Sequence, residues 1–411
     1  MSSLQKGFGV TMGKELSSIL AHAGDGQPEK QLKRQSSIPE VFPIYLTSVF
    51  AFDDVKSVDD IYDGLADGYI YTRISNPNSD VTASAIAETE NAEKAAVFSS
   101  GLAAITTSIL AVVSAGDHIV SSPVLYGGVR DFLEHELARF GVEVTFTDFS
   151  DAANIEKAIK KETKLIYTET ISNPLMDVAD IPQIAEIAKN HGAYFFIDNT
   201  FATPVITRPL EYGADLVLYS ATKYLGGHND VVAGAAAGRA DLIELIRKKQ
   251  VLYGPVLGPV ESWLLARSLR TLELRVTKQS QNALEIAQFL EGHPDVERVY
   301  YPGLASSQGH EAAERLFRNG LYGGMLSFDV KGGEAGATAV IDHLETIKYV
   351  PSLAGVATTI SYSAKTSHRF VAREELDKLG IGFGQLRLSV GIEDPRDIIA
   401  ELEHALGRIP V

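Results

Sequence analysis

Ala214-Asp215-Leu216-Val217-Leu218-Tyr219-Ser220-Ala221-Thr222-Lys223-Tyr224-Leu225-Gly226-Gly227-His228 carries an apolar run into a short polar loop that contains one lysine. The preceding apolar run, Ala193-Tyr194-Phe195-Phe196-Ile197, ends on one carboxylate, Asp198. Both runs read as strands. In an open α/β sheet the carboxyl ends of the strands present ligand-binding groups, so Asp198 and Lys223 are expected at one edge of one sheet. Ser-x-Thr-Lys is weak evidence alone, because a lysine after a strand is ordinarily a solvated loop residue.

Taken together, the two residue types suit one chemistry. A lysine amine can hold an aldehyde cofactor as a Schiff base, and a carboxylate beside a pyridine nitrogen keeps that nitrogen protonated, so that the ring accepts electrons. The order of Asp198 and Lys223 therefore suggests pyridoxal phosphate held on Lys223.

Working outward, periodicity predicts helices over 80–93, 101–115, 130–140, 154–160 and 181–190, alternating with strands over 95–98, 117–121, 142–146, 164–168 and 194–198. That alternation predicts an α/β fold with a mostly parallel sheet wrapped by helices. A long helical stretch over 258–292 closes at Gly292-His293-Pro294 and is expected to bridge two domains. Beyond it, strands over 296–300, 324–330 and 386–390 and helices over 335–344 and 395–405 read as a smaller α+β domain. Residues 1 to about 60 mix charge, Gly, Pro and short apolar patches, and read as an extended arm packed on a partner subunit. The expected division is an arm over 1–75, a large cofactor-binding domain over 76–270 and a small domain over 271–411.

Composition narrows the function. The chain has 411 residues, 45% of them hydrophobic, enough for a large core. Its 53 acidic against 37 basic residues, a formal charge of -16, oppose binding to nucleic acid or anionic membrane. The densest basic cluster, at 30–34, is short. Without cysteine there is no disulfide, thiolate metal site or cysteine nucleophile. The ten histidines lack ligand spacing, so no protein-built metal site is expected. No apolar run reaches the roughly 18 residues of a membrane span, and a cytoplasmic location is the default expectation.

Ser99-Ser100-Gly101-Leu102-Ala103-Ala104 lies between a strand and a helix, where free N–H groups could bind a phosphate; an ordinary turn with a serine cap is the alternative. Neither nucleotide fingerprint, Gly-x-x-x-x-Gly-Lys or Gly-x-Gly-x-x-Gly, is present.

Seven separated motifs then occur in order: Tyr71-Thr72-Arg73-Ile74-Ser75-Asn76-Pro77, Ser99-Ser100-Gly101-Leu102-Ala103, Tyr126-Gly127-Gly128, Glu169-Thr170-Ile171-Ser172-Asn173-Pro174, Asp198-Asn199-Thr200-Phe201-Ala202, Ser220-Ala221-Thr222-Lys223-Tyr224 and Arg387-Leu388-Ser389-Val390-Gly391. With these the chain, from about residue 40, resembles the cystathionine γ-synthase (Cys/Met metabolism, transsulfuration) family of pyridoxal-phosphate enzymes. The resemblance implies the fold type I, aspartate aminotransferase-like architecture and a homotetramer built as a dimer of dimers. It implies that the turn from Ser100 holds the cofactor phosphate through the N–H groups of Gly101 and Leu102, with the hydroxyls of Ser220 and Thr222. Tyr71 and Arg73 would reach that phosphate from the neighbouring subunit. Tyr126 would stack on the ring and act as acid or base, Asn173 would orient the ring hydroxyl, and Glu169 would support them. Lys223 would be anchor and base, Arg387 would grip the substrate α-carboxylate, and Ser352 would help position Lys223 or the substrate.

Local departures bear on the reaction. Family members that act on cystathionine commonly carry Glu just before the serine matching Ser352, and Arg a few residues after Tyr-Gly-Gly; this chain has Pro351 and Val129-Arg130-Asp131. Gly128 stands where methionine γ-lyases usually have cysteine and O-acylhomoserine sulfhydrylases often have glycine. Ala354 stands where glycine is frequent. The reading adopted is γ-elimination from methionine, homocysteine or a related sulfur amino acid. The alternative is γ-replacement on an activated homoserine, of the O-acetylhomoserine sulfhydrylase or cystathionine γ-synthase type. A non-catalytic scaffold on the same fold would have no need of an intact Lys223, Asp198, Tyr126 and Arg387.

Overall fold

The computed structural model describes residues 15–23, 39–366, 369 and 373–410; the basic cluster at 30–34 lies outside them. Seven strands form the larger sheet: β1 (Lys94–Phe98), β2 (His118–Ser121), β3 (Glu143–Phe146), β4 (Thr163–Glu169), β5 (Tyr194–Asp198), β6 (Leu216–Tyr219) and β7 (Gly234–Gly238). Their order is β1-β7-β6-β5-β4-β2-β3. The run from β6 to β3 is parallel, and β7 runs antiparallel to both β6 and β1. Helices cover both faces, which is why β4, β5 and β6 are nearly continuous apolar runs. Ile166, Phe195, Ile197 and Val217 enter one core, while Leu165, Tyr167, Phe196 and Leu218 enter the other.

A second sheet holds β8 (Val296–Tyr300), β9 (Met325–Val330), β10 (Lys348–Tyr349), β11 (Thr359–Tyr362) and β12 (Gln385–Ser389), in the order β10-β11-β12-β9-β8. Its own core includes Leu326, Phe328, Ile360, Leu386 and Leu388.

The strands β10 and β11 and a helix at Ala240–Tyr253 were not expected from periodicity, and three further features differ from that reading. The stretch over 258–292 is two helices, Pro259–Leu269 and Leu272–Glu291. At the break Ser268 O accepts from Thr271 N (3.2 Å) and from Arg275 Nη2 (2.9 Å), so the carbonyl is satisfied without continuing the helix. The second helix places Leu272 and Val276 in the core of the large sheet, and Ala283, Ile286 and Leu290 in that of the small one. The helix expected over 130–140 begins at Gly127 and passes through a π-turn at Phe132–Glu136. Finally, β7 is Gly-Ala-Ala-Ala-Gly, too small-sided to show a strand pattern. It must be small, because a Cβ on Gly234 would lie 2.0 Å from Ser100 O.

The arm expected over 1–75 is, from residue 39, anchored on its own chain. Trp263 Nε1 donates to Phe42 O (3.0 Å), Asn78 Nδ2 donates to Pro43 O (2.9 Å) and Tyr45 N donates to Asn78 Oδ1 (2.7 Å). It is not wholly extended: Asp54 caps a helix at Val55–Tyr62, none of whose residues is buried.

Candidate active site

A cavity of about 270 Å³ opens where β4, β5 and β6 end, and it is closed from the other side by residues 351–353 and by β12. It brings together Ser100, Gly101, Leu102, Tyr126, Asn173, Asp198, Ser220, Thr222, Lys223, Ser352 and Arg387, eleven positions from seven separate segments of the chain.

One end suits a phosphate. Ser100 Oγ caps the helix Gly101–Val112 by accepting from Ala103 N (3.1 Å). The first N–H groups of a helix have no partner within it, so Gly101 and Leu102 present donors at a dipole's positive end. A Cβ on Gly101 would sit 2.7 Å from Ser220 Cβ, so any larger residue would fill this cradle. Thr222 Oγ1 is already engaged by its own loop, accepting from Ala233 N (2.9 Å) and donating to Ala233 O (3.1 Å).

The floor is a pair of buried carboxyls. Glu169 and Asp198 are register partners on the parallel strands β4 and β5. Burial raises the Asp198 pKa to about 6, against the lowering effect of its hydrogen bonds from Thr200, whose N–H donates to Asp198 Oδ1 (2.8 Å). Burial, reinforced by the Asp198 charge, raises Glu169 well above the carboxylate range, although Glu169 Oε1 accepts from Tyr126 N (2.7 Å). A cationic partner such as a protonated pyridine nitrogen would relieve this pair, which is the charge the cofactor's ring would bring.

Above the floor stand the cations. Lys223 Nζ donates to Ser352 Oγ (3.0 Å), and its pKa is lowered by burial and by the charge of Arg387. Arg387 is buried in β12; its Nη1 donates to Asn173 Oδ1 (2.7 Å), while its Nε has no partner among the described residues. Burial brings its pKa down to about 10. A buried guanidinium with unused donors is suited to a carboxylate. Pro351 lines the cavity. Ala354 adopts φ 71°, a left-handed conformation that favours glycine, and its N–H donates to Ser389 Oγ (2.7 Å).

Tyr71 and Arg73 are not brought into this cavity by their own chain. Both are exposed; Arg73 lies over the Tyr71 ring (5.5 Å) and donates to Val251 O (2.7 Å). Arg130 also points elsewhere, toward Pro123 O (3.0 Å) and the Phe146 ring.

The sequence profile of the Cys/Met metabolism PLP-dependent enzymes matches residues 19–407. The chain belongs to that family. Its cofactor is accordingly pyridoxal phosphate. This family member is 43% identical over 372 residues to an L-methionine gamma-lyase of Treponema denticola, covering 89% of this chain and 92% of the relative. It is also 43% identical to a cystathionine gamma-lyase of Bacillus subtilis, covering 83% and 89%. Among solved structures it resembles a putative O-acetylhomoserine (thiol)-lyase from Campylobacter jejuni that carries N'-pyridoxyl-lysine-5'-monophosphate, with TM-score 0.89 and 30% identity over 96% of this chain and 100% of that one. A cystathionine gamma-lyase from Lactobacillus plantarum complexed with L-serine also matches, with TM-score 0.89 and 34% identity over 96% and 99%.

Sequence reasoning assigned no role to Thr200, although it stands in the Asp198-Asn199-Thr200 motif. Its N–H holds Asp198, and its Oγ1 accepts from Ser220 N (2.8 Å), so one small side chain ties the carboxylate end of the site to the phosphate end. The apolar wall of Ile105, Ile171, Phe201 and Leu353 was likewise missed, because no local pattern separates these residues from core.

Proposed function

We propose that this enzyme catalyses γ-elimination from methionine or a similarly neutral thioether amino acid, giving 2-oxobutanoate, ammonia and a thiol. The observation that carries the reading is the charge content of the cavity. Among its described lining residues the only cations are Lys223 and Arg387, the acids are the floor pair, and Leu102, Ile105, Ile171, Phe201, Pro351 and Leu353 are apolar. Arg387 has the α-carboxylate to bind. Nothing then remains among the described lining residues to hold the second ammonium and carboxylate of cystathionine, whereas a methylthio group needs only apolar contact.

Pyridoxal phosphate, when bound, supplies a covalent hold on the substrate amine and a ring that accepts electrons from the substrate carbons. The residues of this chain do the rest. Gly101, Leu102 and Ser220 would hold the phosphate, joined by Thr222 once its hydroxyl turns from Ala233 O; Asp198 would keep a proton on the ring nitrogen, and Asn173 would orient the ring hydroxyl. Lys223 would anchor the cofactor, and its free amine would carry protons to and from the substrate carbons. Its lowered pKa leaves more of the neutral amine available as base. Tyr126, whose backbone N–H donates to Glu169 Oε1 (2.7 Å), would stack on the ring and protonate the leaving sulfur. Ser352 holds the Lys223 amine when it is free.

The active unit in this reading is at least a dimer, and by likeness to the family a dimer of dimers. Exposed Leu46, Val55, Tyr62 and Leu65 in the arm, beside Tyr71 and Arg73, support a face that a second chain covers. No helix among the described residues is long and apolar enough to cross a membrane.

Gly128 favours the second reading, γ-replacement. A Cβ there would lie 2.9 Å from Tyr126 Cε1, so glycine leaves the Tyr126 ring room to admit a thiol. The test is to supply methionine, cystathionine or O-acetylhomoserine, each with and without sulfide or cysteine, and to measure 2-oxobutanoate and new thioethers or thiols. Rapid 2-oxobutanoate from methionine alone supports elimination. Little keto acid, with homocysteine or cystathionine formed only from the acyl ester plus a thiol, would overturn it.

A further inference from the structure

Behind the cavity lies a buried acid that the chemistry above does not use. Glu90 ends the helix Pro77–Glu90 and is 0% exposed. Its Oε1 accepts from Tyr219 OH, and its Oε2 has no partner among the described residues. Burial raises its pKa to about 7; the hydrogen bond from Tyr219 and the charges of Arg208 and Arg318 oppose this, while that of Glu211 adds to it. A carboxyl held there is costly unless it is hydrogen-bonded.

Tyr219 supplies that hydrogen bond. Its hydroxyl accepts from Asn199 Nδ2 (2.8 Å) while donating to Glu90, so the proton order is set by the acid at the end of the chain. Asn199 follows Asp198, and Tyr219 precedes Ser220. The same two strand ends are tied on the cavity side by Ser220 N to Thr200 Oγ1 (2.8 Å) and Thr200 N to Asp198 Oδ1 (2.8 Å). One cofactor molecule has a fixed distance between ring nitrogen and phosphate, so the two ends must be held in one spacing to bind both.

We propose that Glu90 is a positioning residue: through Tyr219 and Asn199 it locks the ends of β5 and β6, and so places Asp198 and Ser220 where one pyridoxal phosphate can engage both. Removing the acceptor leaves the Tyr219 proton unpaired in a dry site, and the hydroxyl must turn away from its place between Glu90 and Asn199. The α-carboxylate site, on β12, is untouched by that change. The inference rests on the assignment of Asp198 to the ring nitrogen.

The experiment compares the holoenzyme with Glu90→Leu, Glu90→Gln and Tyr219→Phe. Cofactor dissociation, the visible absorbance band, and kcat and KM for methionine are read for each. Glu90→Leu and Tyr219→Phe are expected to weaken cofactor binding about tenfold and lower kcat about tenfold, with KM within about twofold, the effect of one lost buried hydrogen bond. Glu90→Gln keeps an acceptor for Tyr219 and is expected to recover most of both losses. A folded Glu90→Leu protein with wild-type cofactor affinity, absorbance and kcat overturns the proposal, even if its melting temperature falls. Should Glu90→Leu not fold, Tyr219→Phe decides on the same readouts. Asp198→Asn separates the two levels: wild-type cofactor affinity and absorbance in that variant would show that the underlying assignment has failed, rather than the link from Glu90.

Discussion

The ends of β4, β5 and β6 and the segment around Tyr71 and Arg73 are built in opposite ways. At the strand ends and on the facing β12 the charged groups are buried or half-buried and tied within the chain: Asp198 to Thr200, Glu169 to Tyr126, Lys223 to Ser352 and Arg387 to Asn173. Around Arg73 the backbone is held from below, by Arg247 Nη2 donating to Ile74 O (3.1 Å), but the Tyr71 and Arg73 side chains are left exposed. The difference separates two costs. The strand ends hold unfavourable charge at fixed positions awaiting a cofactor, whereas the arm offers charge at the surface, where it stays solvated until something docks.

Changes at the strand ends should therefore have the larger effects. Lys223→Ala removes anchor and base together, and turnover is expected to fall by at least about 10³-fold. Borohydride reduction of the wild-type protein followed by peptide mapping should place the cofactor on Lys223; recovery on another lysine would remove that asymmetry. Arg387→Ala, next in size, should lower kcat/KM for methionine about 100-fold, mostly through KM, the loss of a buried charge-assisted contact. An unchanged KM would mean that the carboxylate is gripped elsewhere. At the arm, Arg73→Ala should weaken cofactor binding only about tenfold, consistent with one solvent-exposed phosphate contact, with little change in the melting temperature of the cofactor-free protein.

The two regions were unequally legible in the sequence. Lys223 and Asp198 stood out because strand-end chemistry is local: an apolar run, then one charged residue. The Asn173–Arg387 bond joins residues 214 positions apart, and only the fold reveals it. Glu90 sits at the end of a helix and looks there like any solvated acid. The strand β7 was silent because its small side chains reflect close approach of Ser100 rather than any alternation. The helix break at Arg270–Thr271 was hidden for a similar reason, since apolar spacing continues across it while Arg275 turns into the Lys223 loop to donate to Tyr224 O (2.9 Å).

A further effect is expected on stability, and its sign is informative. Asp198 has a folded pKa of about 6, above its ordinary carboxylate value, so its ionised form costs stability in the cofactor-free protein. That cost is fully present above about pH 6 and disappears as pH falls toward 4. Cofactor-free Asp198→Asn should thus be more stable than wild type at pH 7, on the order of 1–3 kcal/mol, with the gap closing by pH 4. Denaturant melts at both pH values check this, and a gap that widened on acidification would reverse the description of the floor.

Mixing Arg73→Ala with Lys223→Ala protein and allowing subunits to exchange tests most directly the claim that an inward-built strand-end site is completed by an outward-built arm. At a pyridoxal phosphate concentration too low to fill the Arg73→Ala site, and if Arg73 serves the neighbour's Lys223, half of the randomly paired dimers carry one intact site of two, and activity should return to about a quarter of wild type. No regain, with subunit exchange demonstrated by mass spectrometry of the mixed oligomers, would contradict it and place every catalytic group within a single chain.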